Sequence, residues 1–138
     1  MKSDNDLRRV YKIDTNKDNH LVTVTFLIEE SAEENNTRVT KLLLEDLETT
    51  VDSKPKIKFN LLTDLTLIPD ANYSSEESKK LYGETKVFNK YGRVAVVSKS
   101  LKIKVLVVFL STFTGKFDNV KWFDEKINAL SWLNSSTP

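Results

Sequence analysis

The chain has 138 residues, 30% of them charged, and a formal net charge of +1. This length suits one domain with a sizeable core, and the balanced charge disfavours a nonspecific nucleic-acid binder or a protein attracted to anionic membranes by its overall charge. The sequence contains no cysteine and a single histidine, His20, which excludes disulfides and thiolate sites and disfavours a histidine-based metal site.

The first residues, MKSDNDLRRVYK, contain no apolar core of the kind that a signal peptide has, so we expect a cytoplasmic protein. No stretch of the sequence approaches the ~20 apolar residues that a membrane-spanning helix needs, so we expect no transmembrane segment. We treat residues 1–138 as a single domain and expect the tail, residues 134–138, to be disordered.

The first third of the chain predicts a hairpin followed by a helix. RRVYKID and HLVTVTFLIEE flank the polar segment TNKDN, and the apolar–polar alternation of the second segment is typical of a β-strand. In SAEENNTRVTKLLLEDLETTV, Ser31 and Glu34 have the spacing of a capping box at a helix N-terminus. The apolar residues of this helix share one face: Val39, Leu42, Leu43 and Leu47.

The rest of the chain alternates between strand and helix patterns. KPKIKFNLLTDLTLI predicts a strand that includes Ile57 and Phe59 and ends near Asp64, and a helix over about residues 74–89 follows. RVAVVSK, bounded by Gly92 and Ser98, predicts a strand buried on both faces. GKFDNVKWFD predicts a last strand that ends at Phe123. Asp124 is then expected to cap a final helix that buries the following apolar residues: Ile127, Leu130, and Trp132 or Leu133.

The most apolar stretch, LKIKVLVVFLSTFT at residues 101–114, is ambiguous by periodicity alone. Leu101, Ile103 and Val105 alternate with lysines as in a strand, but the apolar run that continues to Leu110 does not alternate. The stretch lies between two predicted strands, and parallel strands need a crossover of about this length. We therefore predict a helix over about residues 100–113 that is apolar on almost every side.

The predicted elements together indicate an α/β domain. They give a mixed β-sheet of about five strands, in which an N-terminal hairpin is followed by strand–helix repeats, with about four helices in all.

The second half of the chain resembles the SpoIIAA-like group of STAS domains, the fold of sulfate-transporter tails and anti-sigma-factor antagonists. The resemblance lies in IKFNLLTDLTLI as the central strand, YSSEESKKLYGE as the following helix start, YGRVAVVSKS as the next strand, and FTGKFDNVKWFDEKINALSWL as the last strand and helix. It covers about residues 55–134, and the fold shares features with CRAL-TRIO lipid-binding domains. The resemblance implies a regulatory or protein-interaction module without enzymatic activity.

Two serines correspond to the phosphorylated position of the phosphorylation-switched members of that family. Ser74 and Ser75, in DANYSSEES, lie at the start of the helix after the central strand, but the glycine of the family motif is missing and Asp70 is too far upstream. A phosphate there would be favoured by the helix dipole and repelled by Glu76 and Glu77. The alternative is that these serines only cap the helix.

The residues offer little for catalysis. Asp64 and Asp70 near the end of a central strand could form an acid/base pair or an Mg²⁺ site, but apolar residues separate them and the chain has three glycines and no phosphate-binding loop. His20 is expected in a surface turn. We expect no catalytic residues, no metal and no cofactor.

The predicted apolar helix over residues 100–113 is the strongest functional feature. A helix on the outside of an α/β domain buries about half of its surface, so something else should cover the remainder. Five residues are candidates for an interface or a ligand-facing surface: Ile103, Val107, Phe109, Leu110 and Phe113. The sequence leaves open a homodimer, another protein partner, or a carrier of a small apolar ligand or lipid that uses this helix as a gate.

Overall fold

The structure is a computed structural model that describes residues 2–69, 75–113 and 119–135, and of residues 110–113 the backbone alone. In this part of the chain a five-stranded sheet has the strand order β1-β2-β3-β4-β5. Its strands are β1 (Tyr11–Asn16), β2 (Leu21–Phe26), β3 (Asn60–Asp64), β4 (Val94–Val97) and β5 (Val120–Phe123). Strands β1 and β2 pair antiparallel and every later pair is parallel. The predicted α/β class with a mixed sheet is confirmed.

Five α-helices lie in the described ranges: α1 (Asp4–Leu7), α2 (Glu33–Asp52), α3 (Glu76–Glu84), α4 (Leu101–Phe113) and α5 (Lys126–Asn134). The sequence predicted about four, and α1 is the addition. It is a single turn, too short to show a periodic pattern, and the Ser3 side chain caps it by accepting a hydrogen bond from the backbone N–H of Asp6. None of the helices in the described part of the chain combines the length and the apolarity needed to span a bilayer.

The sheet is covered on both faces, as the unbroken apolar run of β4 predicted. Neighbouring side chains of a strand point to opposite faces, so Leu61 packs into the larger core beneath α2 whereas Leu62 packs into a smaller core beneath α5. The predicted face of α2 is buried in the larger core: Val39, Leu42, Leu43 and Leu47. In the same core the Tyr91 hydroxyl donates a hydrogen bond to the backbone carbonyl of Leu47 at 2.7 Å.

The start of α2 differs from the prediction. The helix begins at Glu33, Ala32 takes the N-cap position, and no side-chain hydrogen bond caps the helix, so the predicted Ser31–Glu34 capping box is wrong. The cause is the buried Glu30. Its carboxylate accepts a hydrogen bond from the Asn35 side chain, and its backbone carbonyl accepts one from the Asn36 side chain. These contacts pull the chain inward before the helix and leave Ser31 exposed.

The boundaries of β3 and α3 also differ. Strand β3 begins at Asn60 because the backbone N–H of Ile57 is still bonded to Lys54 in the turn that follows α2. The helix predicted over about residues 74–89 is α3, which stops at Glu84. Thr85 is extended and its hydroxyl accepts a hydrogen bond from the Val87 N–H, which begins a separate 3-10 turn over Val87–Lys90.

The last helix buries Leu133, as predicted, but its N-cap residue and the exposure of Ile127 differ from the prediction. Asp124 does not cap α5: the N-cap position belongs to Glu125, which makes no capping bond because its carboxylate accepts a hydrogen bond from Lys99 at 2.6 Å. Ala129 and Leu133, one turn apart, are buried, while Leu130 and Trp132 are half-buried. Ile127 lies on the opposite side of the helix and is 75% exposed, so its predicted burial is wrong. The predicted disordered tail falls mostly on residues 136–138, which lie outside the described residues.

Candidate functional site

Helix α4 is the crossover between the parallel strands β4 and β5, and its bounds match the predicted helix at residues 100–113. It lies on the same face of the sheet as α2 and α3, because Leu43 of α2, Tyr82 of α3 and Ile103 of α4 line one cavity. Helix α5 covers the other face. With apolar residues around nearly its whole circumference, α4 presents one apolar side to the sheet and another to the outside.

The inner side of α4 contributes Ile103, Leu106 and Val107. These three side chains line a partly open cavity of about 130 Å³ between the helix and the sheet. Val107 is buried and the other two are half-buried. The apolar inner side therefore meets an apolar wall without filling the space completely.

The outer side of α4 carries an exposed apolar surface. Leu101, Val105 and Val108 are 73%, 66% and 50% exposed, and Phe109 is also exposed. The first three follow the i, i+4, i+7 spacing of one helix face. We use the name outer stripe for Leu101, Val105, Val108 and Phe109.

Two exposed lysines flank the outer stripe near the N-terminus of α4. Lys102 and Lys104 lie on opposite sides of the stripe, and the Lys104 ammonium group is 4.8 Å from the centre of the Trp122 ring, a cation–π contact with β5. The remainder of the helix, residues 105–113, contains no charged residue. The charge of α4 is thus confined to its first turn.

The structure separates the five residues that the sequence proposed as an interface or ligand-facing surface. Ile103 and Val107 face the cavity, whereas Phe109 belongs to the outer stripe. Leu110 and Phe113 belong to the helix, but their side chains lie outside the described residues. Sequence reasoning missed Leu101, Val105 and Val108, although their spacing is that of a helix face.

Ser75 caps α3, as predicted. Its hydroxyl accepts a hydrogen bond from the Ser78 N–H at 3.0 Å. The side chain is 3% exposed and shares a further hydrogen bond of 2.7 Å with Thr37 of α2. Ser78 continues the network to Asn36 and Thr40, so a buried chain of hydroxyl groups joins α2 to α3. A phosphate on Ser75 would have to break this network, and Ser74 lies outside the described residues.

Asp64 stabilises the segment that follows β3. It is buried, and its Oδ1 atom accepts hydrogen bonds from the Thr66 backbone N–H and hydroxyl at 2.9 and 2.6 Å. Its Oδ2 atom lies 3.3 Å from the Lys126 ammonium group at the start of α5. Burial alone would raise the pKa of Asp64, but the contacts with Thr66 and Lys126 outweigh it and lower the pKa. Asp70, with which it could form an acid/base pair or an Mg²⁺ site, lies outside the described residues.

Comparison with known proteins adds no relative. No protein-family model matches the chain, and no curated protein or solved structure matches it. The assignment of a role therefore depends on the chemistry of the residues described above.

We predict that Ser75→Ala lowers the free energy of unfolding by about 1–2 kcal/mol, because it removes both the cap of α3 and a buried hydrogen bond to α2. Urea denaturation followed by circular dichroism measures the change. Ser31→Ala is the matched control: Ser31 is exposed and caps no helix, so its loss should change stability by less than about 0.5 kcal/mol. Equal effects of the two substitutions would contradict this description of the network.

We predict that Asp64→Asn lowers the free energy of unfolding by about 1–3 kcal/mol near neutral pH. Because the folded state lowers the pKa of Asp64, the carboxylate contributes its full stabilisation above the unfolded pKa of about 3.9 and loses it as the pH falls through the folded pKa. Urea titrations should therefore show a constant difference from the unmodified protein above about pH 5 and a shrinking one in acid. The exposed Asp14 provides a control, Asp14→Asn, and a difference at Asp64 that does not change with pH would refute the assignment.

Proposed function

We propose that the protein is a non-enzymatic binding module that self-associates through the outer stripe of α4. The observation that carries this proposal is the exposure of Leu101, Val105 and Val108 on one helix face. Exposed apolar side chains that are grouped on one element, rather than scattered, are typical of an interaction surface. The resemblance to STAS domains implies the same class of role.

The placement of charge on α4 favours a second copy of this chain as the partner. Lys102 and Lys104 lie in the first turn, and no acidic residue occurs in the helix. If two copies of α4 pack antiparallel, the lysines of each copy meet the uncharged C-terminal half of the other. The C-terminus of a helix carries a partial negative charge, which favours nearby lysines. Val105 and Val108 would lie at the centre of such an interface.

The chemistry around α4 supports binding more than catalysis. The cavity behind the helix is lined by apolar side chains apart from Thr63 and the Tyr82 hydroxyl. At the end of β3, Asp64 has structural partners in Thr66 and Lys126. A reaction needs a positioned acid, base or nucleophile next to the substrate, and this lining supplies an apolar surface instead.

The expected association is weak. Burial of a large apolar side chain contributes roughly 1.5–3 kcal/mol. The outer stripes of two copies supply eight such side chains, which at the lower end of that range contribute about 12 kcal/mol. Association itself costs at least about 4 kcal/mol in lost translational and rotational freedom. We therefore expect a dissociation constant in the micromolar range, which corresponds to about −8 kcal/mol.

Sedimentation velocity over the low to high micromolar range tests this proposal. We expect a concentration-dependent dimer, and we expect Val105→Asp and Val108→Asp each to weaken it at least about tenfold, because a carboxylate would have to be buried in the interface. Ile127→Asp is the matched control, since Ile127 is also an exposed apolar residue, on α5 instead of α4. The dimerisation constant of the Ile127→Asp variant should equal that of the unmodified protein.

Three results would overturn the proposal. The first is a monomer at every concentration. The second is equal weakening by Ile127→Asp, which would mean that the association does not depend on α4. The third is a monomer that cosediments with anionic lipid vesicles and loses that property in Val105→Asp, because the stripe would then bind a membrane instead of a second copy.

A further inference from the structure

The cavity on the inner side of α4 is a separate feature from the outer stripe. We call it the inner cavity; its volume is about 130 Å³ and it is partly open to the surface. Its wall combines side chains of the sheet and of three helices, such as Val24 of β2, Leu47 of α2, Tyr82 of α3 and Val107 of α4. Protein interiors are closely packed and contain few voids larger than a water molecule. A space of this size is therefore large enough to admit a small molecule.

The floor of the inner cavity is a row of side chains on three neighbouring strands. Val24 of β2 pairs with Thr63 of β3, and Thr63 pairs with Val96 of β4. All three residues line the cavity, and the inner side of α4 lies across from them. Aliphatic side chains thus enclose the space from the sheet and from the helix, so the wall that a ligand would contact is almost entirely apolar.

A smaller cavity of about 90 Å³ adjoins the inner one and has polar groups in its wall. Five side chains line both spaces: Phe26, Leu65, Tyr82, Ile103 and Leu106. The polar groups beyond them are paired within the protein. The Glu30 carboxylate accepts hydrogen bonds from Lys2 and Asn35, and the Thr40 hydroxyl donates one to Ser78. A charged group that entered from this side would lose its hydration and would meet polar groups that already have partners.

We propose that the inner cavity is a binding site for a small, uncharged, hydrocarbon-like molecule of the size of benzene or toluene. An engineered apolar cavity of about 150 Å³ stays dry and binds benzene, and the inner cavity is similar in volume and in lining. Affinity comes from the apolar surface that the ligand removes from water and from its contacts with the wall. This site is independent of the proposed self-association, because it lies on the opposite side of α4.

Three compounds that share a phenyl ring and differ in charge test the proposal: toluene, benzylamine and benzoate. Two-dimensional amide NMR titrations of the full chain give both the affinity and the location of each compound. We expect toluene to shift the amides of Val24, Val96 and Val107, and both charged compounds to bind at least about tenfold more weakly than toluene. No binding of toluene up to its solubility limit, shifts confined to other parts of the protein, or a charged compound that binds as tightly would overturn the proposal.

Two substitutions on the floor of the inner cavity form a matched pair. Val96→Phe fills the space, since the Val96 side chain lines it, and should weaken toluene binding at least about tenfold. Thr63→Val keeps the shape of the side chain and replaces its hydroxyl by a methyl group, so toluene should bind as tightly as to the unmodified protein or a few-fold more tightly. A folded Val96→Phe variant with unchanged toluene affinity, or loss of binding in Thr63→Val, would contradict an apolar site here.

A third variant tests the site from the α4 side and does not depend on whether Val96→Phe folds, which thermal unfolding will show. Ile103→Ala enlarges the inner cavity, since the Ile103 side chain lines it, and should raise the affinity for naphthalene relative to toluene at least several-fold. Ile127→Ala, which shortens an exposed isoleucine of α5, is the control and should leave this ratio unchanged. An unchanged ratio in Ile103→Ala would contradict the placement of the ligand beneath α4.

Discussion

The strand order of the sheet imposes the constraint on which the rest of this structure depends. Strands β2 to β5 are parallel and adjacent in chain order, so each connection must cross back over the sheet. Such crossovers are almost always right-handed, which places successive ones on the same face. Neighbouring strands are about 4.8 Å apart, whereas packed helices need about 8–10 Å between their axes. The helices of these three crossovers therefore share one face of the sheet, and each needs about twice the width of a strand.

The three helices α2, α3 and α4 do not pack equally well against this face of the sheet. Helix α2 occupies the centre of the larger core through Leu42, Leu47 and their neighbours, and the hydroxyl network around Ser78 fixes α3 against it. Helix α4 comes last and contacts mainly the edge strand β5. It is left with an incompletely filled space on its inner side and an exposed apolar stripe on its outer side. The two proposals for this protein correspond to these two sides of one helix.

Predictions from the sequence were correct where the order of strands and helices along the chain determined the structure. The helix at residues 101–113 was predicted because parallel strands need a crossover, although its local pattern was ambiguous, and the core face of α2 followed from periodicity. Local signals failed where distant contacts decided the outcome. Ser31 has good capping chemistry, but Glu30 is bound to Lys2 and Asn35, and this determines where α2 begins. Ile127 is apolar, but Ala129 and Leu133 fix the buried face of α5.

The cavities could not be predicted from the sequence. Their walls combine residues as distant along the chain as Val24 and Val120, and a void results from how side chains of several elements fail to meet. The sequence also did not predict which side of α4 faces the sheet. Aliphatic residues occupy both sides: Leu101 and Val105 on the outer one, Ile103 and Val107 on the inner one. Only the position of the sheet distinguishes the inner side from the outer one.

We propose that a second copy of the chain covers the outer stripe of α4. Hydrogen–deuterium exchange measured at low and at high protein concentration tests it most directly, because burial in an interface slows the opening of a helix. We predict that the backbone amides of α4 exchange more slowly at high concentration, while those of α5 exchange at the same rate at both concentrations. Exchange in α4 that is independent of concentration would contradict the claim.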